Sequence, residues 1–275
     1  MLRRLKAART RRHFEELGGH VVRGRIDYED ITRELERAGV KVEPYAVDVG
    51  AFEAYIGKAG YARLPYYDGG RVGTAREKYL EHFVSLQLLA PEPGQVLIDV
   101  ASMNSPFAEL AAELHGLDTY RQDLMYPAGL AGRTMGGDAA AMPVPDAFAD
   151  HLTLHCSLEH FEGDADSRFV REAARVLRPG GKLCSLPLYT TSTYAIQTHA
   201  RRWRMHDIRF DPGDLLYVAD EWGPPYGRFY DASAFARRIV GQLGAMRLTV
   251  YSLSNLDEVG GDCYLRYAVL VEKPS

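Results

Sequence analysis

The stretch that decides the fold is Val96-Leu97-Ile98-Asp99-Val100-Ala101-Ser102-Met103-Asn104-Ser105-Pro106-Phe107. An apolar strand ends in a carboxylate and a run of small or polar residues, and a proline then stands at the first turn of a helix. Such a loop can lay backbone N–H groups and short hydroxyls around a ligand. Upstream, Tyr79, Phe83, Leu86 and Leu89 recur at helical spacing until Pro91 and Pro93-Gly94 break the run. Downstream the pattern alternates: a helix through Phe107 to Leu114, a strand from Thr119 to Leu124, a strand from Asp150 to Cys156, a helix over Phe169 to Leu177 and a strand from Lys182 to Leu188. Alternation of this kind predicts an α/β fold, a doubly wound, mostly parallel sheet that binds ligands at the carboxyl ends of its strands. A helix at Ser233 to Leu243 and strands at Met246 to Leu253 and Cys263 to Glu272, around a Gly260-Gly261 turn, predict an antiparallel final pair.

The flanks are less regular. Asp27 to Gly39 reads as a short amphipathic helix, with Asp27 as its cap, Ile31, Leu35 and Ala38 on one face and Gly39 as its stop. Residues 1–75 are expected to form a helical N-terminal extension for lid, substrate or oligomer contacts, and residues 76–275 the main domain. Residues 190–230 interrupt that domain with Tyr194, Trp203, Arg204, His206, Trp222, Tyr226, Arg228 and Tyr230. That length is too great for a plain connection and is expected to be a lid or substrate insertion.

Composition narrows the function classes. The 275 residues are 46% apolar and 25% charged, those of an ordinary globular chain. A net charge of -4, from 33 basic and 37 acidic side chains, disfavours nucleic acid as the main partner. Arg3, Arg4, Lys6, Arg9, Arg11 and Arg12 form a basic cluster, read as a solvated helix or a contact to an anionic partner. Cys156, Cys184 and Cys263 make neither a disulfide framework nor a zinc motif, and no stretch is apolar enough to span a membrane or act as a signal peptide. A reducing, cytoplasmic location is expected.

The candidate chemistry lies at the strand ends. The glycine fingerprint of dinucleotide binders is absent after the first strand, which argues against a nicotinamide cofactor. Asp123 ends the next strand, where a carboxylate can accept both hydroxyls of a ribose. Then come Gly137-Asp138-Ala139, Met142-Pro143-Val144-Pro145-Asp146, Leu158-Glu159-His160 and Arg175-Val176-Leu177-Arg178-Pro179-Gly180-Gly181. Pro179-Gly180-Gly181 reads as turn chemistry, not as a ligand contact.

This series, over about residues 90 to 190, resembles the class I S-adenosylmethionine-dependent methyltransferases of the type 11 branch, and the tail fits that family's final helix and strand pair. The resemblance implies a Rossmann-like sheet of seven strands and S-adenosylmethionine as cofactor. It places Asp99, Ala101, Ser102, Asn104 and Ser105 around the methionine part, Asp123 on the ribose and Asp138 with Ala139 at the adenine edge. His155, Cys156 and Ser157 fall beneath the sulfonium. Where the family's loop reads Gly-x-Gly-x-Gly, this chain has Ala101, Met103 and Ser105, so the loop is either reshaped or binds more weakly.

An alcohol acceptor needs a base or a Lewis acid during transfer. His155 or His160, with Glu159 beside the latter, is the expected base. The same Glu159 and His160, with His206, Asp207 or Glu221, form an alternative ligand set for Mg²⁺; no metal at all is the other alternative. Aromatic walls and polar forks in the insertion suit a sugar or polyhydroxylated small molecule, and Leu158-Glu159-His160-Phe161 with Ser185-Leu186-Pro187-Leu188-Tyr189 is similar to the methyltransferases of polysaccharide biosynthesis. The expected activity is therefore O-methylation, with a homodimer among the expected assemblies. The competing expectation is a non-catalytic cofactor-binding or scaffold protein with a degenerate loop.

Overall fold

Asp27 accepts hydrogen bonds from the Glu29 and Asp30 amides at 3.1 Å and so starts α1 (Tyr28–Arg37), which buries Ile31 and Leu35. Ala38 turns outward, and Val40 takes the third core position. The structure, a computed structural model, describes residues 20–21, 27–61, 75–198, 215–218, 225–260 and 263–275. The basic cluster at the N-terminus and Trp203, Arg204, His206, Asp207, Glu221 and Trp222 lie outside the described residues.

In chain order the remaining elements are β1 (His20–Val21), β2 (Lys41–Tyr45), α2 (Val49–Ala59), α3 (Ala75–Leu89), β3 (Val96–Val100), α4 (Phe107–His115), β4 (Asp118–Ala131), β5 (Thr134–Gly136), β6 (Ala149–His155), α5 (Ala165–Val176) and β7 (Leu177–Leu186). They continue with β8 (Ala195–Thr198), β9 (Leu215–Val218), β10 (Gly227–Phe229), α6 (Ala232–Arg238), β11 (Arg247–Leu253), α7 (Leu256–Val259) and β12 (Tyr267–Glu272). The main sheet runs β2-β11-β12-β7-β6-β3-β4-β5, parallel except where β12 lies antiparallel between β7 and β11. The expected doubly wound α/β sheet with its antiparallel final pair is present. Among the described residues it has eight strands, one more than expected, because β2 adds parallel to β11. The N-terminal extension is thus not wholly helical: Lys41-Val-Glu-Pro-Tyr45 is short and holds a proline, which an edge strand tolerates.

Two apolar layers cover the sheet. Phe52, Phe83 and Leu110, from α2, α3 and α4, pack on one face, and Leu35, Phe169 and Phe235, from α1, α5 and α6, on the other. The order of connection reverses at β3, with β4 added on one side and β6 and β7 on the other, and this switch point leaves a crevice at the carboxyl edge between β3 and β6. The strand expected to end at Leu124 continues to Ala131 and doubles back on Gly136, where any Cβ would overlap the Pro127 carbonyl. Pro179-Gly180-Gly181 lies within β7 as an irregularity in its pairing with β6, far along the strand from the crevice. The 190–230 insertion supplies β8, β9 and β10, which with β1 form a second, four-stranded sheet.

Candidate active site

Two adjoining hollows occupy the carboxyl edge, of 350 and 370 Å³, and share Ala101, Asp123, Leu124, His160 and Phe161. The first is completed by Gln122, Asp138, Ala139 and Arg168, the second by Lys78, His82, Ser102–Ser105, His155, Cys156 and Ser157. The sequence-expected residues of the β3 loop, Asp123, Asp138 and Ala139 therefore line one continuous crevice, whose size suits a small ligand.

The loop after β3 keeps its left-handed turns without glycine. Ala101 has φ +52° and Met103 φ +42°, a conformation that disfavours a side chain. Its neighbours hold it there. The Met103 N–H donates to Asp123 Oδ2 (2.8 Å), the Ser102 N–H to the Gln122 carbonyl (3.0 Å), and the Tyr126 hydroxyl to the Met103 carbonyl (2.5 Å). Gln122 is buried and joins two loops: its Oε1 accepts from the Ala101 N–H (3.2 Å) and its Nε2 donates to the Gly137 carbonyl (2.6 Å). These neighbours hold the loop in its left-handed turns.

Asp99 is buried at the end of β3. Its Oδ1 accepts from the Thr153 hydroxyl (3.0 Å) and lies 3.4 Å from His155 Nδ1, while its Oδ2 is buried with no partner. A buried carboxylate oxygen without a donor is costly and points to a donor or cation that a ligand brings. Asp123 Oδ1 accepts from the Met125 N–H (2.9 Å), so each of its oxygens has one backbone partner and one lone pair to spare. Asp138 is held below the usual carboxylate range: burial works against its charge, but the Ala140 N–H and Arg168 guanidinium outweigh it. Ser105 Oγ accepts from the Phe107 N–H at 3.2 Å and helps to open α4, and Asn104 is exposed on the rim.

The two histidines differ. His155 is enclosed between Phe107 and His82, with ring centroids 4.5 and 4.9 Å away. The Ser85 hydroxyl donates to the His82 carbonyl, so it must accept the Nε2 proton of His155 at 3.1 Å. His155 is thereby hydrogen-bonded to Ser85, while its Nδ1 lies beside Asp99 without a hydrogen-bond partner. His160 stands on the 3₁₀ turn Leu158–His160 and lines both hollows. Its Nδ1 donates to the Tyr226 carbonyl at 2.6 Å, because a carbonyl can only accept, and this fixes the neutral ring with its basic lone pair on Nε2. That Nε2 lies 3.5 Å from Glu159 Oε1. Glu159 is buried, which pushes its carboxyl pKa up against the pull of His160, and its Oε2 has no partner.

Sequence reading missed the polar face of α3. Glu77, Glu81, His82 and Ser85 are all buried, and Lys78 Nζ donates to both Glu81 oxygens at 2.9 and 3.0 Å. The Cys156 thiol donates to Glu81 Oε1 at 3.1 Å and lies 3.5 Å from the Tyr189 hydroxyl and 3.7 Å from that of Tyr264. Burial pushes the Cys156 thiol and both phenols up, so all three stay neutral near pH 7. The signal was available: three acid or imidazole side chains fall at i, i+4 and i+5 of one helix, but the apolar period of Tyr79, Phe83 and Leu86 masked it.

The magnesium expectation is corrected. Among the described residues no group of three or more His, Cys, Asp or Glu side chains is placed to hold a metal, and His206 lies outside them. Glu159 and His160 alone do not fit a hard cation, because one carboxylate and one imidazole supply too few of the oxygen ligands Mg²⁺ takes.

Comparisons with known proteins fall on this same crevice. The ubiquinone/menaquinone biosynthesis C-methyltransferase UbiE of Caulobacter sp. (strain K31) is 29% identical over 39% of this chain and 50% of its own length. UbiE of Caulobacter vibrioides (strain NA1000 / CB15N) is 33% identical over 36% of this chain and 46% of its own. The match spans about half the length of these curated relatives. Among solved structures, the PH0226 protein of Pyrococcus horikoshii OT3 superposes with a TM-score of 0.49 at 16% identity, over 78% of this chain and 99% of that one. Residues 98–185, which run from β3 through β7 and build most of the crevice, match the family model described as a methyltransferase domain.

Proposed function

We propose that the protein is an S-adenosylmethionine-dependent methyltransferase acting on a small molecule. The observation that carries this reading is the placement of Asp123 and the Asp138-Ala139 pair in one crevice, with Asp99 buried at the end of β3 and its Oδ2 partnerless. Asp99 would take the cofactor's ammonium through Oδ2, Asp123 the ribose hydroxyls, and Ala139 and Leu124 the faces and edge of the adenine. Ala101, Ser102, Asn104 and Ser105 would enclose the methionine part. When bound, the cofactor supplies a sulfonium methyl with a good leaving group, so the protein mainly positions the acceptor and excludes water.

His160 is the proton acceptor in this reading. The Tyr226 carbonyl orients its ring, and Glu159 Oε1, 3.5 Å from Nε2, would stabilise the imidazolium that forms. His155 and Cys156 serve as packed walls under the methyl, since the former is enclosed by Phe107 and His82 and bonded to Ser85 and the latter is a neutral thiol.

A saccharide hydroxyl is not carried forward as the acceptor. The reported relatives are named C-methyltransferases, and neither they nor the described pocket residues support it. The scaffold alternative, which rested on the missing glycines, loses its ground because Ala101 and Met103 hold the positive φ that glycines would supply. Calorimetric titration of the full chain with S-adenosylhomocysteine tests the reading. Micromolar binding to the wild type is expected, and no binding would overturn it.

A further inference from the structure

Gln122 stands on β4 between the loop after β3 and the loop after β5; it is 1% exposed and lines the first hollow. Its Oε1 meets the Ala101 N–H and its Nε2 the Gly137 carbonyl. The sense of both hydrogen bonds is fixed, because the amide N–H can only donate and the carbonyl can only accept. Both partners lie at turns of positive φ, +52° at Ala101 and +129° at Gly137. The main chain of the same short stretch of β4 reinforces the join: the Ser102 N–H donates to the Gln122 carbonyl (3.0 Å) and the Gly137 N–H to the Asp123 carbonyl (3.3 Å).

We propose, resting on the methyl-transfer reading, that Gln122 is a positioning residue that locks the methionine-binding loop and the adenine-binding loop in one relative placement, so that the site favours a ligand spanning both. Its amide acts through the two loops. Glycine would reach the Ala101 turn freely, whereas alanine in a left-handed conformation needs an outside partner to hold it. Gln122 Oε1 is that partner, in place before any ligand arrives. One amide serves both loops, so it cannot follow either of them without releasing the other. An apolar side chain of similar length would fill the same space but leave the Ala101 N–H and the Gly137 carbonyl without this bond.

Order that a ligand would otherwise have to impose is thus built in, and such preorganisation raises affinity. The gain divides by loop. The adenosyl end draws on the bond to Gly137, next to Asp138 and Ala139, and the amino-acid end draws on the bond to Ala101, at the start of the loop that runs to Ser105. Only a ligand that reaches both loops draws on both bonds.

This separates positioning from plain stabilisation. A glutamine that merely held the fold together would scale the affinity of every ligand by one factor, the fraction of folded chain. A positioning glutamine changes the ratio between a ligand that touches both loops and one that touches a single loop.

The probes are S-adenosylhomocysteine, which reaches both loops, and 5′-methylthioadenosine, which lacks the amino-acid end. Calorimetric titration of the full chain gives the first affinity, and displacement of S-adenosylhomocysteine gives the second. Gln122→Met is expected to weaken S-adenosylhomocysteine about 25-fold and 5′-methylthioadenosine about fivefold, so that their ratio falls about fivefold. Gln122→Glu, measured at pH 5.5, supplies the rescue. Burial keeps the introduced carboxyl neutral there, and the acid then offers an O–H to Gly137 and a C=O to Ala101 in the same sense as the amide. Its affinity for S-adenosylhomocysteine should return to within about threefold of wild type at that pH. An unchanged ratio in Gln122→Met, whatever its melting temperature, overturns the positioning role. So does a Gln122→Glu variant that binds as weakly as Gln122→Met, or a wild type that binds S-adenosylhomocysteine but not 5′-methylthioadenosine, since the adenine loop is then not held ready. A wild type that does not bind S-adenosylhomocysteine overturns the methyl-transfer reading itself, and the role of Gln122 falls with it.

Discussion

At the scale of single residues, Asp123 has two tasks that a substitution cannot separate by charge alone. Its Oδ2 holds the Met103 amide and its Oδ1 the Met125 amide, while the remaining lone pairs face the crevice. Hydrogen bonds to a charged group contribute about 1.5–3 kcal/mol each. Asp123→Ala should therefore weaken S-adenosylhomocysteine binding by at least about a hundredfold, read by calorimetry with circular dichroism unchanged; wild-type affinity would remove the ribose assignment. Met103 carries the opposite lesson. Its φ of +42° suits glycine, and its side chain is 54% exposed, so little packing is lost when it is removed. The left-handed penalty of about 1–2 kcal/mol exceeds the extra chain entropy glycine loses, about 0.5–1 kcal/mol. Met103→Gly should raise stability by about 0.5–1 kcal/mol, a rise in Tm of roughly 1–4 °C for a chain of this size. A lower Tm would mean that the Met103 side chain packs on something more than solvent.

At the scale of elements, one guanidinium holds the described end of the insertion to the loop and helix after β6. Arg228, on β10, is 1% exposed and spends its donors on the Tyr194 hydroxyl, the Phe161 and Gly163 carbonyls, the Tyr226 hydroxyl and Asp166. Asp166 also receives Arg238 and the Tyr230 hydroxyl at 2.7 Å. The same stretch that Arg228 anchors carries the Tyr226 carbonyl that orients His160. Removing one partner of a buried ion pair costs about 3–5 kcal/mol, so Arg228→Met should lower unfolding free energy by that order in a urea titration. A loss below about 1 kcal/mol would show that Arg238 alone neutralises Asp166. None of this was legible in the sequence, where Arg228 looked like a polar fork for substrate. What the sequence did reveal was set by local rules: the Asp27 cap, the periodic face of α1, the run of β3 and the β11–β12 pair each depend on residues close in the chain. The strand β2, the doubling back of β4 onto Gly136 and the polar wall of α3 depend on partners more than a hundred residues away or on a bulge that propensity does not encode. The candidate cofactor residues were visible because strand ends are where the fold puts them. The tautomer of His160 was not, because it hangs on the backbone carbonyl of Tyr226, 66 residues on.

At the scale of the whole molecule, buried titratable groups of opposite type shape stability against pH. Burial lowers His151 to about 4, with Lys182 reinforcing and Asp150 opposing the shift. Between an unfolded value near 6.5 and 4, the unfolded chain takes up a proton that the folded one refuses, so this group makes stability fall as pH drops. Glu77 does the reverse. Its folded value of about 7 lies above the unfolded value near 4.5, so the folded chain keeps a proton that the unfolded one releases, and stability falls as pH rises from 4.5 to 7. Each slope amounts to about 1.4 kcal/mol per pH unit where one proton separates the two states. Across 4.5 to 6.5 the two effects offset, and substitution exposes them separately. Relative to wild type, Glu77→Gln should gain stability progressively from pH 4.5 to 7, whereas His151→Gln should gain it as pH falls from 6.5 to 4. The Gln95 contact of His151 at 2.8 Å adds a constant loss without changing its slope. Urea denaturation at half-unit pH steps reads both differences. Slopes of the same sign, or none, would show that these two side chains reach their ordinary protonation states inside the fold, and with it would go the account of α3 as a desolvated wall.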